Sequence, residues 1–302
     1  MQGKPTIRFH TFKWSMVSAL LVLASASGAD AAPRMDHVIV VILENHSYDQ
    51  VRSSAYTAGL IANGTVFTNA HAITHPSEPN YLALWAAATL GVTNDACPAP
   101  GSPLTAENLG HACEKAGLTW RAYSENLPGA GSDVCSADSK LYTRKHDPWT
   151  NFGNLDHQNE RVFSDLASDI ARGTLPNLAF VVPNNCNNSH DCSVGTADSW
   201  LSRNLPAMLG ALGTKGMLIL TWDENDGSSG NHILTVFAGT PVKRGYQSAQ
   251  NINHYTVVRT ICEVLGITPF AGAASQQSVG DVWMQPTPAL ASTWGKIKTI
   301  YR

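Results

Sequence analysis

The sequence predicts an α/β fold: a mostly parallel central sheet with helices on both faces. Two observations carry the prediction. The runs "HVIVVIL" (37–43), "NLAFVV" (177–182) and "GMLILTW" (216–222) are continuously apolar and rich in β-branched residues, as strands buried on both faces must be. Amphipathic helical patterns alternate with these runs, the order that builds a parallel sheet from crossover connections.

The elements follow in order. After the first strand, "GTVFTNAHA" (64–72) reads as a second, and "NYLALWAAATLG" (80–91) as a buried helix ending at Gly91. A helix over 105–117 takes Thr105 as its N-cap and has Gly117 at its end. "TWRAYSE" (119–125) alternates like a strand, and "RVFSDLASDIARG" (161–173) is an amphipathic helix. Pro183 stops the next strand, and Pro206 kinks a helix over 196–212. "HILTVFAG" (232–239) follows the third buried run, and a helix over 254–266 closes the pattern. Residues 94–160, rich in Gly, Pro and Cys, are expected as a cap or long loops near the site.

Residues 1–31 read as a secretory signal: Lys4, Arg8 and Lys13, then a short apolar run, then the small-residue site Ala29-Asp30-Ala31. The expectation is a secreted or periplasmic protein without a stable membrane anchor, with one domain over 32–302. Removing the signal takes away three positive charges and Asp30, moving the net charge from −3 to −5. So acidic a chain has no general attraction for nucleic acid or anionic lipid, and any phosphate affinity must be local. Six cysteines suit an oxidising compartment. Cys186 and Cys192 are near enough in sequence to staple a loop, while the other pairings stay open.

Ligands in open α/β sheets bind beyond the carboxyl ends of the strands. Glu44-Asn45-His46 follows the first buried strand, His190-Asp191 lies beyond the second, and Asp223-Glu224 follows the third. Glu44, Asn45, Asp223 and Glu224 are a candidate oxygen shell for a divalent metal ion. Ser77 sits between Pro76 and Pro79 just ahead of a helix expected to begin near Pro79, where helix amides can hold a phosphate. It is either a metal-activated nucleophile or a plain N-cap. His75, His146, His190, His232 and His254 are candidate acids, phosphate donors or further ligands, with Asp191 placed to orient His190. Asp198, Arg144 and Lys145 are weaker candidates.

Taken together, "VIVVILENHSYDQV", "THPSEPNYLALWA", "YSENLPG", "YTRKHDPW", "HDCSVGTADSWL", "TWDENDG" and "HYTVVRTICEVLGI" resemble, in order over residues 36–270, the phosphoesterase family of the alkaline-phosphatase superfamily. That family holds bacterial acid phosphatases and phospholipases C, and the likeness is greatest to small secreted phosphatases acting on phosphatidylinositol 3-phosphate. The resemblance implies that Ser77 is a nucleophile forming a phospho-enzyme, and that Glu44, Asn45, Asp223 and Glu224 bind metal. Asn80, His146 and His190 would lie near the phosphate and the leaving group, and His254 is matched as a further substrate contact. It also implies a Cys97–Cys135 disulfide, leaving Cys113 and Cys262 over. Two departures stand out: Asn188 and Cys192 replace an aspartate and a glycine of the relatives' "NDMHDG". The expected activity is hydrolysis of phosphate monoesters, small or phosphoinositide. The alternatives are a phospholipase C-type phosphodiesterase and a non-catalytic binding protein with an inherited site.

Overall fold

The computed structural model describes residues 32–284, together with Met1 and Gly3. The signal expected over 1–31 therefore lies, but for those two residues, outside the described part. Among the described residues no helix is long and apolar enough to cross a membrane.

In chain order the strands are β1 (His37–Leu43), β2 (Thr65–Phe67), β3 (Ala70–His71), β4 (Trp120–Ser124), β5 (Ser136–Ala137) and β6 (Tyr142–Thr143). They continue with β7 (Glu160–Val162), β8 (Leu178–Val182), β9 (Gly216–Trp222), β10 (Thr235–Ala238), β11 (Tyr246–Ser248) and β12 (Ile252–Asn253). The helices are α1 (Tyr48–Val51), α2 (Ala55–Asn63), α3 (Ser77–Ala86), α4 (Leu109–Lys115), α5 (Ser164–Arg172), α6 (Val194–Ala211), α7 (His254–Leu265) and α8 (Ala271–Ala274).

The central sheet has eight strands in the order β11-β2-β10-β9-β1-β8-β4-β7. From β9 through β7 every pairing is parallel, and β10 runs antiparallel to both its neighbours. Helices α3, α4 and α7 pack together as one group, and α2, α5 and α6 as another, so β8 and β9 are buried along their whole length. Burying each Val, Leu or Ile here contributes about 1.5–3 kcal/mol. Trp85, Trp120, Trp149 and Phe180 interlock where α3 meets the sheet.

Several boundaries differ from the sequence reading. Helix α3 starts at Ser77 itself, and it stops at Ala87, which enters the left-handed region at φ 50°, four residues before Gly91. Helix α4 starts later than expected because Asn108, not Thr105, is the cap: its side chain accepts from the His111 amide. Residues 160–162, read partly as helix, pair with β4 as a strand. Because β4 lies inside the central sheet, the 94–160 segment is only partly an insertion. Apart from β4 and α4 it is mostly loop, with short 3-10 turns and the β5–β6 ribbon, tied by the Cys97–Cys135 disulfide.

Asp198, a weaker candidate for the site, has a structural task instead. From α6 its carboxylate accepts from the Tyr56 and Thr57 amides and the Thr57 hydroxyl, capping α2 across the helix pair. Asp198→Ala is expected to cost about 1–2 kcal/mol of unfolding free energy with unchanged kcat/KM, which denaturant melts and steady-state kinetics would check.

Candidate active site

The register of the sheet builds the first wall. Leu43 lies level with Trp222, so Glu44 and Asp223 leave the sheet side by side, and the Asp223 amide donates to the Leu43 carbonyl at 2.9 Å. Asn45 turns the chain in the left-handed region, φ 51°, which asparagine tolerates better than most residues. Its backbone amide donates to Asp223 Oδ1 at 3.1 Å. Its side-chain amide lies 3.3 Å from both Glu44 Oε2 and Glu224 Oε1. Turned one way it donates to both carboxylates; turned the other, its oxygen joins theirs around a common centre.

Ser77 closes this group. It is the first residue of α3, not the cap, and only 1% exposed. Its hydroxyl donates to Glu44 Oε2 at 3.3 Å and to Glu224 Oε1 at 3.2 Å. One turn along α3, on the same helical face, the Tyr81 hydroxyl donates to Glu44 Oε1. The His75 Nδ1–H donates to the other oxygen of Glu224 at 2.6 Å. Asn80 and His254 are the expected substrate contacts; Asn80 Nδ2 reaches Glu224 Oε2 at 3.4 Å, and His254 keeps Nδ1 unpartnered. Asn80 Oδ1 accepts from the amides of Ile73 and Thr74, and its nitrogen donates to the carbonyls of Thr74 and Pro76, locking the turn before Ser77. His254 is fully buried, and its Nε2–H donates to the Asp223 carbonyl at 2.6 Å.

The opposite wall comes from the loops. The 3-10 turn Arg144–His146 brings His146 Nε2 to 3.3 Å from Glu44 Oε1 and stacks its ring on Tyr81. Lys145 donates to Asp95 Oδ2 at 3.0 Å and to His190 Nε2 at 3.4 Å. The other nitrogen of His190 donates to Asp191 at 2.7 Å, as the sequence suggested. Asn188 Oδ1 accepts the His190 amide at 2.8 Å and fixes the backbone of this loop without a charge. The other departure, Cys192, closes a disulfide with Cys186 around this loop. Cys113 and Cys262 are free and buried.

Burial, and after it the charge of Asp223, holds Glu44 well above the usual carboxylate range. Burial and the neighbouring Glu224 push Asp223 up to about 7. Burial also raises Glu224, against the pull of His75. Burial pulls the Lys145 ammonium down, but Glu44 and Asp95 outweigh it and leave it above its ordinary value. His146 is held well below the ordinary histidine value by burial, then by Lys145. Three crowded carboxylates with raised pKa values are a site waiting for positive charge. Asp223 Oδ2, His146 Nε2 and His254 Nδ1 are buried without a hydrogen-bond partner, which fits a cation-binding centre of oxygen donors with imidazole nearby. Glu44, His146 and His190 also offer ligand atoms all within 4.8 Å of one another.

Tyr81, Asp95 and the His75–Glu224 contact were not singled out in the sequence. Tyr81 was legible in principle, four residues after Ser77; Asp95, in an irregular loop, had no local signal.

Residues 51–268 match the Phosphoesterase family, and the chain belongs to it: this is a phosphoric-ester hydrolase on an alkaline-phosphatase-like fold. The match begins after Glu44 and Asn45, which the structure itself adds to the site. The chain is 40% identical to a phosphatidylinositol-3-phosphatase of Mycobacterium tuberculosis, over 84% of this chain and 85% of that one. It is 27% identical to a probable acid phosphatase of Kluyveromyces lactis over 82% of this chain, but spans only 62% of that relative's length. Among solved structures, a protein of the alkaline phosphatase superfamily from Vibrio parahaemolyticus superposes with a TM-score of 0.59 at 12% identity, covering 82% of this chain and 72% of that one. Murine ectonucleotide pyrophosphatase/phosphodiesterase 5 in complex with AMP gives 0.56 at 10% identity, covering 82% and 100%. At such identities these two speak for the fold alone.

Proposed function

We propose that the chain is an exported phosphomonoesterase that works through a phosphoserine at Ser77 and takes phosphatidylinositol 3-phosphate among its substrates. The observation that carries the reading is the buried Ser77 hydroxyl between two carboxylates, 3.3 and 3.2 Å away, at the first turn of α3. The 40% identity to a phosphatidylinositol-3-phosphatase supports the substrate, and two disulfides support export. A divalent cation held by Glu44, Asn45, Asp223 and Glu224 would supply Lewis-acid stabilisation to the serine oxygen and to developing phosphoryl charge.

The residues divide the work. Ser77 Oγ bonds to phosphorus as the bond to the leaving oxygen breaks, and its proton departs along the hydrogen bonds to Glu44 and Glu224. His190, held on Asp191 through Nδ1, relays a proton from water through Nε2 to the leaving oxygen. Water then attacks the phosphoserine, releasing phosphate and restoring the hydroxyl. Asn80 and His254 hold the backbone of Ser77 and Asp223 in place.

The test is acid-quenched turnover of p-nitrophenyl phosphate followed by peptide mass spectrometry, alongside rates on bis-p-nitrophenyl phosphate. A phosphate on Ser77 with monoester preference is expected. A diester preference would instead make the chain a phospholipase C-type phosphodiesterase, and phosphate trapped on another residue would remove Ser77 from the mechanism.

A further inference from the structure

The first turn of α3 is poorer in anion-binding donors than its sequence suggests. Helix N-termini bind phosphate through free amides. Here the Glu78 amide already donates to Asp95 Oδ1 at 3.0 Å, and Pro79 has none to offer. The wall facing a phosphate on Ser77 is made of Glu44, Asp223 and Glu224, so a dianionic ester needs fixed positive charge from the other side.

Lys145 is placed to give it. Asp95 accepts from the Glu78 amide with one oxygen and from Lys145 with the other, so the ammonium is tethered to the residue after the nucleophile. Its contact with His190 is a long 3.4 Å, exchangeable for a shorter bond to a charged oxygen. The side chain is 18% exposed, sheltered from screening yet open on one side. The neighbouring Arg144 is spent elsewhere, donating to the carbonyls of Asp133 and Thr150 and to Asn151. Lys145 also brings its charge beside Glu44, His146 and His190, whose ligand atoms cluster as if around a second cation.

We propose that Lys145 is the phosphate-contacting cation that makes the site prefer monoesters to diesters. The inference rests on Ser77 being the point of attack on a phosphate ester. A monoester dianion presents three non-bridging oxygens and two charges; a diester presents two oxygens and one charge. Lys145 keeps its proton throughout and hydrogen-bonds a non-bridging oxygen while the bond from Ser77 forms and the leaving-group bond breaks. Removing it takes more from the monoester than from the diester.

The experiment compares the full mature protein with Lys145→Met and Lys145→Arg, under saturating divalent metal. Two readouts are used: kcat/KM on p-nitrophenyl phosphate and bis-p-nitrophenyl phosphate, and calorimetric binding of inorganic phosphate. Lys145→Met is expected to lose roughly 100-fold on the monoester, as for other lost transition-state donors, and less than about fivefold on the diester, which keeps its other contacts. Its Kd for phosphate rises at least about tenfold, and Lys145→Arg recovers part of both. Equal losses on the two esters, or an unchanged Kd for phosphate, would overturn the proposal. Should Lys145→Met fail to fold, Asp95→Asn keeps an acceptor for the Glu78 amide while releasing the ammonium. It must then weaken phosphate binding and lower the monoester preference. Trapping of phosphoserine in the unaltered protein is read first, so failure of the underlying mechanism is seen separately.

Discussion

Ser77→Ala is expected to lose roughly 10⁴-fold or more of monoester turnover, the scale on which removing a nucleophilic serine acts, while the thermal midpoint stays within about a degree or two of the parent. The two halves test different things. Were Ser77 a cap of α3, alanine would cost about 1 kcal/mol of stability. The cap position is held by Pro76, and the Ser77 hydroxyl makes no bond to the helix backbone. Its two bonds to Glu44 and Glu224 are long, and the two oxygens they leave, Glu44 Oε2 and Glu224 Oε1, each lie 3.3 Å from the Asn45 side-chain amide, which can donate to both. No buried acceptor is stranded, so the usual penalty for an unmade bond does not arise. Steady-state kinetics and calorimetric melting on one preparation check both halves. More than about a tenth of the activity surviving in the variant would exclude nucleophilic attack by this residue.

The strands that place the site were legible because burial on both faces leaves a continuous apolar run, and Glu44, Asp223 and Glu224 were legible because they end such runs. Direction was not: "LTVFA" reads alike in either sense, and β10 runs antiparallel after a return from β9 that holds a 3-10 turn and no crossover helix. The stop of α3 at Ala87 was hidden because alanine rarely enters the left-handed region. Helices α1 and α2 were missed because both are short and the segment breaks at Ser53-Ser54. In the site, sequence shows which groups are present but not which atoms they spend. Asn80 is expected at the phosphate, but nothing in the sequence shows that its amide also holds the turn at 73–76 and reaches Glu224. Asp95 is joined to Lys145 across fifty residues and carries no local mark.

That crowding of carboxylates leads to the second large effect, on metal and on pH together. Asp223 is pushed up to about 7 by burial and by Glu224, and Glu44 is raised as well. In the unfolded chain an aspartate titrates near about 3.9. Between about 4 and about 7 these carboxyls in the native state therefore hold protons that the unfolded state has released, and they take stability away as pH rises through that window, while buried His254, pulled down to about 4, works the other way. A cation that takes the protons' place reverses the loss. At a hundredfold excess over its Kd it stabilises by about 2.7 kcal/mol, or about 5–10 °C for a domain of this size. The gain is expected to be larger at pH 7.5 than at pH 5, where protons compete for the same oxygens. Asp223→Asn removes one repelling charge: the metal-free midpoint at pH 7.5 should rise or hold and its pH slope flatten, while turnover falls roughly a thousandfold or more. Melting curves across pH, with and without divalent ions, decide this. A pH slope that Asp223→Asn leaves unchanged, or a midpoint that no divalent ion moves, would mean that the carboxylates are held by something other than the cation for which their arrangement is suited.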